Sequence, residues 1–332
     1  MEHVYLASLE DKMKFMAVYM VTDVFVRETK GSPPRPYWDV ELRDSSGVKM
    51  ARVWAPRSIK ESDEAKAWMT LTPNNFIAVE AHTESYQGEV RMIVDTFSVV
   101  DKKDVDQECF VKTSERLESD LKTLDEYLAF ITEKTLGTIA QAVLGKSGRF
   151  RDMFVEASGA ENGPYNVRGG ALMQTIDTTT VVSSLVTLVT QDYRLQQLTI
   201  LSSLLANVGK IWAYKMDTGV SRFTTEGRLF GEPALSARAI EKCFEAPEAK
   251  KDLDYSLYLR LLHAVSASRW QGNGQPQSYE AVVVRHAYEL TDAAAHVQNV
   301  ISSARGESIG GADFTPFDGS TRRCYLRQLP PE

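Results

Sequence analysis

The chain of 332 residues, 43% hydrophobic and 25% charged, has the composition of a soluble globular protein with enough length for two separate cores. A formal net charge of −7 excludes a nucleic-acid binder driven by overall positive charge, but not one that confines basic side chains to a single aromatic-lined groove. No run approaches the ~18 consecutive apolar residues of a membrane span, and the charges of Glu2, Glu10, Asp11 and Lys12 argue against a signal peptide.

Cys109, Cys243 and Cys324 are odd in number and far apart, which argues against a disulfide framework or zinc knuckle and makes a reducing cytoplasm the expected location. Residues 13–28 are apolar and β-branched and predict a strand, ended by the Gly/Pro-rich stretch 30–36. Residues 37–44 alternate and 48–54 return after the turn signal Ser45-Ser46-Gly47, predicting a hairpin. Residues 58–71 suit a short helix, and 76–83 and 89–100 predict two more strands around Gln87-Gly88. Three strands, a helix and two strands is the order of an OB barrel. From Ser114 the spacing turns helical, with Leu117, Leu121, Leu124, Leu128 and Ile131 on one stripe. The stretch 175–190 is ambiguous, because its Thr and Val favour a strand and its length favours a buried helix. The expected fold class is α+β in two domains: an OB-like β-barrel over 1–104, an all-α domain over 105–304, and an extended arm over 305–332.

Strand alternation assigns the barrel's faces. Trp38, Val40, Leu42, Ala51 and Val53 form the apolar set and should point inward, which leaves Tyr37, Asp39, Arg52 and Trp54 outward. An OB fold binds on the face of strands 2 and 3 and on the loops after strands 1 and 4. The candidate nucleic-acid-binding residues are therefore Tyr37, Arg52 and Trp54 on the face, Arg27, Lys30 and Arg35 around the first loop, and Tyr86 with Arg91 around the other. Trp54 could instead plug the barrel or the interface with the helical domain, and Asp39 and Glu41 are expected to repel phosphate from the same face. Arg322 and Arg323, with Arg305, Arg327, Phe314, Phe317 and Tyr325, make the arm a second candidate, for single strands, for a neighbouring subunit in a homo-oligomer, or for packing on its own domain.

The blocks at 37–54, 76–101, 168–175, 204–215, 223–232 and 261–270 together resemble the OB–HD 3′–5′ exoribonucleases of the YhaM type, in the same order along nearly the whole chain. The resemblance implies an HD-like helical domain. At the positions where that family holds divalent metal with His and Asp, this chain has Gln174, Ala206, Asn207, Glu232, Ser268 and Arg269, and a closing acid at Glu289 or Asp292. Ala206 cannot ligate, Asn207 is a weak ligand and Arg269 would oppose a cation, so the metal ligands are expected to be lost. His263 and His286 match family positions and could lie near one another, though a partly buried structural role is the expectation for each. A second resemblance, of overall character and not of motif, is to phage single-stranded-DNA-binding proteins that act as cofactors of a phage RNA polymerase; it implies such a polymerase as partner.

There is no G-x-x-x-x-G-K-[ST] or H-E-x-x-H motif. The expectation is a non-catalytic binder of single-stranded nucleic acid, DNA before RNA, with no cofactor, no metal and no membrane. The rivals are a 3′–5′ exonuclease with an atypical metal site and a module whose OB face binds protein.

Overall fold

The computed structural model describes residues 3–30, 32, 36–54, 71–86, 88–217, 219–269 and 275–306. Arg35, residues 58–70 of the expected short helix, Gln87 and residues 307–332, with Arg322 and Arg323, lie outside the described residues. The chain divides into two compact units, Met1–Lys112 and Thr113–Glu332.

The first unit is built on five strands: β1 (Lys14–Glu28), β2 (Pro36–Asp44), β3 (Gly47–Trp54), β4 (Phe76–Tyr86) and β5 (Glu89–Val100). They close in the order β1-β2-β3-β5-β4, with β4 returning to β1. Every pairing is antiparallel except β3 with β5. This is the topology of an OB-like barrel. Alternation drives it: Trp38, Val40, Leu42, Ala51 and Val53 are all buried in the barrel core. Leu42 is fully enclosed, so Leu42→Ala should cost about 2–5 kcal/mol. The long β1 serves both neighbours. Met20 is opposite Phe76 on one side and Arg43 on the other, and a register shift at Val21/Asp23 bends the strand between them. The Asp44 carboxylate accepts from the Ser46 amide (2.7 Å) and hydroxyl (2.6 Å) at the β2–β3 turn, and from the Leu6 amide (2.7 Å), pinning the N-terminal segment. Phe110, in the segment that follows β5, is buried and packs edge-on against the buried Phe76 of β4 at 5.1 Å.

The second unit contains α1 (Leu117–Phe130), α2 (Lys134–Leu144), α3 (Arg151–Glu156), α4 (Gly170–Val189), α5 (Tyr193–Leu205), α6 (Lys210–Ala213), α7 (Thr225–Cys243), α8 (Pro247–Lys250), α9 (Tyr255–Ser266) and α10 (Tyr279–Gly306). The helical stripe beginning at Leu117 is two helices, not one. Gln197 Oε1 accepts from the Thr132 (2.6 Å) and Glu133 (2.8 Å) amides, and the Glu133 carboxylate caps α2 at the Leu136 amide (2.8 Å). The ambiguous stretch 175–190 falls in helix α4 up to Val189. Its Thr175 and Thr180 hydroxyls donate to carbonyls four residues back, which satisfies polar β-branched side chains inside a helix. By length and composition α4 is apolar enough to cross a membrane (mean hydropathy 1.2), and its Leu172, Ile176, Val182 and Val186 pack into the helical core.

The unit is not all-α. A short antiparallel hairpin, β6 (Tyr214–Asp217) and β7 (Val220–Phe223), stands between α6 and α7. Helix α7 is kinked at Gly231, whose φ of 75° is one an L-residue rarely adopts, two residues before Pro233. A Cβ on Gly209 would overlap the Glu232 carbonyl, so that glycine permits close approach of the segment after α5 to α7. Arg305, expected in an extended arm, lies in the last turn of α10.

Candidate nucleic-acid interface

Cross-strand register builds a two-row grid on the outside of the barrel. One row is Arg27, Tyr37 and Trp54, and the next is Phe25, Asp39 and Arg52, each read across β1, β2 and β3. Trp54 does not plug the barrel; it is 47% exposed. Its ring meets Tyr37 at 5.4 Å with a 45° tilt. The Arg52 guanidinium lies 4.5 Å from the Tyr37 centroid and 5.7 Å from that of Trp54. Two aromatic faces and a planar cation thus share one exposed surface, the combination that stacks unpaired bases and neutralises phosphate.

Asp39 behaves differently from the sequence expectation. It is outward but almost fully covered, because Arg52 Nε (3.1 Å) and Arg27 Nε (2.9 Å) both bind its carboxylate. Its charge is spent on holding two arginines in place and not on repelling an approaching backbone. Glu41 accepts from the Thr22 hydroxyl at 2.6 Å and lies opposite Asp23, so the row beyond the grid is acidic. The face therefore has a polarity, basic and aromatic toward Trp54 and acidic toward Glu41.

Lys30 is exposed just beyond β1, while Arg35 is outside the described residues. Tyr86 ends β4 and Arg91 lies within β5, and the Arg91 guanidinium covers the Tyr86 ring at 3.8 Å. Met92 is the partner of Ala51, so Arg91 lies toward the Met50 end of β3. At about 3.3 Å per residue that is roughly 13 Å from Trp54 along the strand. Sequence reading missed Phe25, an exposed ring 5.8 Å from the Arg27 guanidinium. Its alternation with Arg27 on β1 was the available signal.

A cavity of ≈ 980 Å³ lies on the β1–β4–β5 side of the barrel. Glu80, Asp104 and Asp106 line it together with Met16 and Phe97. Three carboxylates oppose a polyanion, which leaves the β2–β3 face as the better interface.

In the helical unit, several positions singled out by the family resemblance meet in one buried cluster. Glu232 is bound by Lys210 Nζ (3.0 Å), Arg269 (3.0 Å) and the Tyr214 hydroxyl (2.6 Å). Gln174 donates to Asp292, which lies 4.0 Å from Arg269. Asn207 donates to Thr175 (2.8 Å), and the Ala206 carbonyl accepts from Ser236 (2.7 Å). His263 and His286 do not share a partner: the first accepts from the Gln277 amide (2.9 Å), the second pairs with Glu289 (3.0 Å). Among the described residues, no three His, Cys, Asp or Glu side chains converge as a metal site. Burial opposes the charge on Glu232, yet Arg269 and Lys210 outweigh it and hold the carboxyl below its usual range. Lys210 is less fortunate. Burial, with Arg269 nearby, brings its ammonium down to about 8, because it shares a single close carboxylate with a second cation.

No protein-family model and no curated protein matches the chain. Among solved structures it is similar to the second OB-fold domain of replication protein A from Methanococcus maripaludis, at 12% identity over 30% of this chain and 97% of that one, with a TM-score of 0.24. It is similar to an OB domain from Thermoplasma acidophilum, at 9% identity over 31% and 88% of the two chains, with a TM-score of 0.23. It is also similar to asparaginyl-tRNA synthetase from Pyrococcus horikoshii, at 16% identity over 39% and 34%, with a TM-score of 0.23.

Proposed function

We propose that this protein binds single-stranded nucleic acid on the β2–β3 face of its barrel and does not cut it. The observation that carries the reading is the exposed Trp54 ring held beside Tyr37 under the Arg52 guanidinium, with Asp39 already neutralised. The acidic row at Glu41 directs the path: a strand crosses β2 and β3 near their Trp54–Tyr37 end and does not run along them. Stacking needs unpaired bases, so duplex is the poorer ligand. DNA is the strand we favour, with RNA as the comparison.

A non-cleaving reading of the helical unit is supported by its chemistry. The position that would have to supply a metal carboxylate, Glu232, is committed to Lys210 and Arg269. On this reading the helical unit is an HD-like scaffold that has exchanged catalysis for structure. A cytoplasmic binder without chemistry of its own serves other machinery, and recruitment or assistance of a polymerase in transcription or replication is the role we assign.

A gel-shift panel with single-stranded DNA, duplex DNA and single-stranded RNA at two salt concentrations tests this. Tight, salt-dependent binding confined to single strands is the expected result. Equal affinity for duplex, or no binding to any of the three, overturns it.

A further inference from the structure

The cavity on the β1–β4–β5 side of the barrel is a groove floored by two cross-strand rows. One row is Met16, Glu80 and Thr96, and the next is Val18, Ala78 and Ser98, each read across β1, β4 and β5. The intervening Ala17 and Val79 are buried in the barrel core, so both rows face outward. Ala78 and Ser98 are small, which gives the groove its depth. It ends at the following row, where Phe110 packs on Phe76 at 5.1 Å. Its walls come from the N-terminal segment, at Tyr5, and from the segment after β5, at Asp104 and Asp106. Both segments are tied down beside the β2–β3 turn. Asp44 binds the Leu6 amide (2.7 Å) and His3 (3.3 Å), and the Cys109 carbonyl accepts from the Ser45 amide (2.8 Å).

The charge of this groove is one-sided. Glu80, Asp104 and Asp106 are exposed, and none of them has an ion pair among the described residues. Glu80 accepts only from the Thr96 hydroxyl (3.3 Å), and Asp106 from the Glu108 amide (3.1 Å) and the Cys109 thiol (3.8 Å). No Lys or Arg among the described residues lines the groove, and the neighbouring Lys103 is taken by Asp101 at 3.1 Å. Between the carboxylates the floor is apolar, and Met16, an unbranched and polarizable side chain that adapts to varied partners, is 48% exposed. A volume of ≈ 980 Å³ is at the upper end of the roughly 300–1,000 Å³ of ligand clefts, more than a single small cation fills. The complementary ligand carries several cations on apolar stems or beside apolar side chains.

We propose that this groove docks a short extended segment of a partner protein in which basic and apolar residues alternate. In an extended segment alternate side chains point to opposite sides, so the apolar ones rest on Met16, Val18 and Ala78 while the cations reach Glu80, Asp104 and Asp106. The groove lies wholly within the barrel unit and uses none of the residues of the β2–β3 face, so this inference stands or falls independently of nucleic-acid binding.

The test uses the full-length protein and fluorescein-labelled peptides of four Arg-Leu repeats and four Arg-Gly repeats, with affinity read by anisotropy and melting temperatures recorded. Glu80→Gln/Asp104→Asn/Asp106→Asn removes the charge and keeps the shape; it should weaken the Arg-Leu peptide on the order of tenfold, the summed value of three exposed ion pairs. Ser98→Tyr keeps the charge and fills the floor, and should weaken the same peptide by a similar factor. Glu241→Gln/Glu245→Gln/Glu248→Gln removes the same charge from exposed positions of the helical unit and should leave binding within about twofold of wild type. The Arg-Gly peptide should bind wild type at least about tenfold more weakly, having no apolar side chains to bury. All the substituted side chains are exposed, so the melting temperatures should not move. No binding of the Arg-Leu peptide by wild type, or wild-type affinity in either groove variant, overturns the proposal. Equal loss in the helical-unit control, or equal affinity for the two peptides, also overturns it, because attraction to the overall negative charge would then suffice. Displacement of the peptide by equimolar spermine would make the groove a polyamine site and overturn the peptide assignment.

Discussion

Arg52 and Asp39 face each other directly across β3 and β2, joined by an Nε–Oδ1 contact of 3.1 Å. The same guanidinium covers Tyr37 at 4.5 Å. One arginine is thus aimed by a carboxylate and presented by a ring. A long, rotatable side chain fixed in this way loses less entropy when it meets a ligand.

Trp54→Ala should weaken single-strand binding by about 1–3 kcal/mol, the value of one stacked base. Its ring is exposed, so the melting temperature should stay within a degree or two of wild type. Arg52→Ala should cost less and flatten the salt dependence by about 0.7, one phosphate contact. Fluorescence titrations at several salt concentrations separate these signatures, and wild-type binding by Trp54→Ala would remove the β2–β3 face as the site.

Asp39→Asn should tighten binding at low salt and steepen the salt slope, because Arg27 and Arg52 would no longer be neutralised between them. The amide keeps the side chain's shape and can accept one of the two arginine hydrogen bonds. Weaker binding by this variant would mean that Asp39 contributes more by aiming Arg52 than it costs by charge.

Pure protein with Mg²⁺ or Mn²⁺ should leave an end-labelled oligonucleotide intact for hours. Time-dependent shortening that follows the protein through purification and stops with chelator would contradict the non-catalytic reading.

Folding stability should rise with pH between about 8 and 9.5. Lys210 has a folded value of about 8 against an ordinary 10.5, so within this window the unfolded chain holds the proton that the folded one has released. Tyr214 and Tyr288 are displaced upward, mainly by burial, so their effect has the opposite sign and begins only near pH 10. Thermal melts in matched buffers should show the rise in wild type and lose it in Lys210→Met. A flat wild-type profile would show that Glu232 holds the ammonium charged through the window.

The barrel and its outward face were legible because a strand's period of two sorts Trp38, Val40 and Leu42 from Tyr37 and Asp39 without knowledge of partners. Pairing was not legible. Asp39 meets Arg27 only through the β1–β2 register, which a shift at Val21/Asp23 resets, and Arg52 only through the register of the next ladder. The break between α1 and α2 was hidden for a related reason, since the side chain that secures it, Gln197, lies 65 residues beyond Thr132. The β6–β7 strands have four residues each, too few for any periodicity. Nothing in the residues next to Lys210 announces a charge buried to 1% exposure.

The cluster around Glu232 balances its own account: Lys210 and Arg269 supply two positive charges, Glu232 and Asp292 two negative ones. Because those cations are covalently part of the chain, they can be neither chelated nor diluted away. A divalent ion arriving there would meet a site already neutral and guarded by two positive side chains. The helical unit should therefore assemble identically in metal-rich and metal-starved surroundings, a robustness that a fold organised around an exchangeable ion does not have.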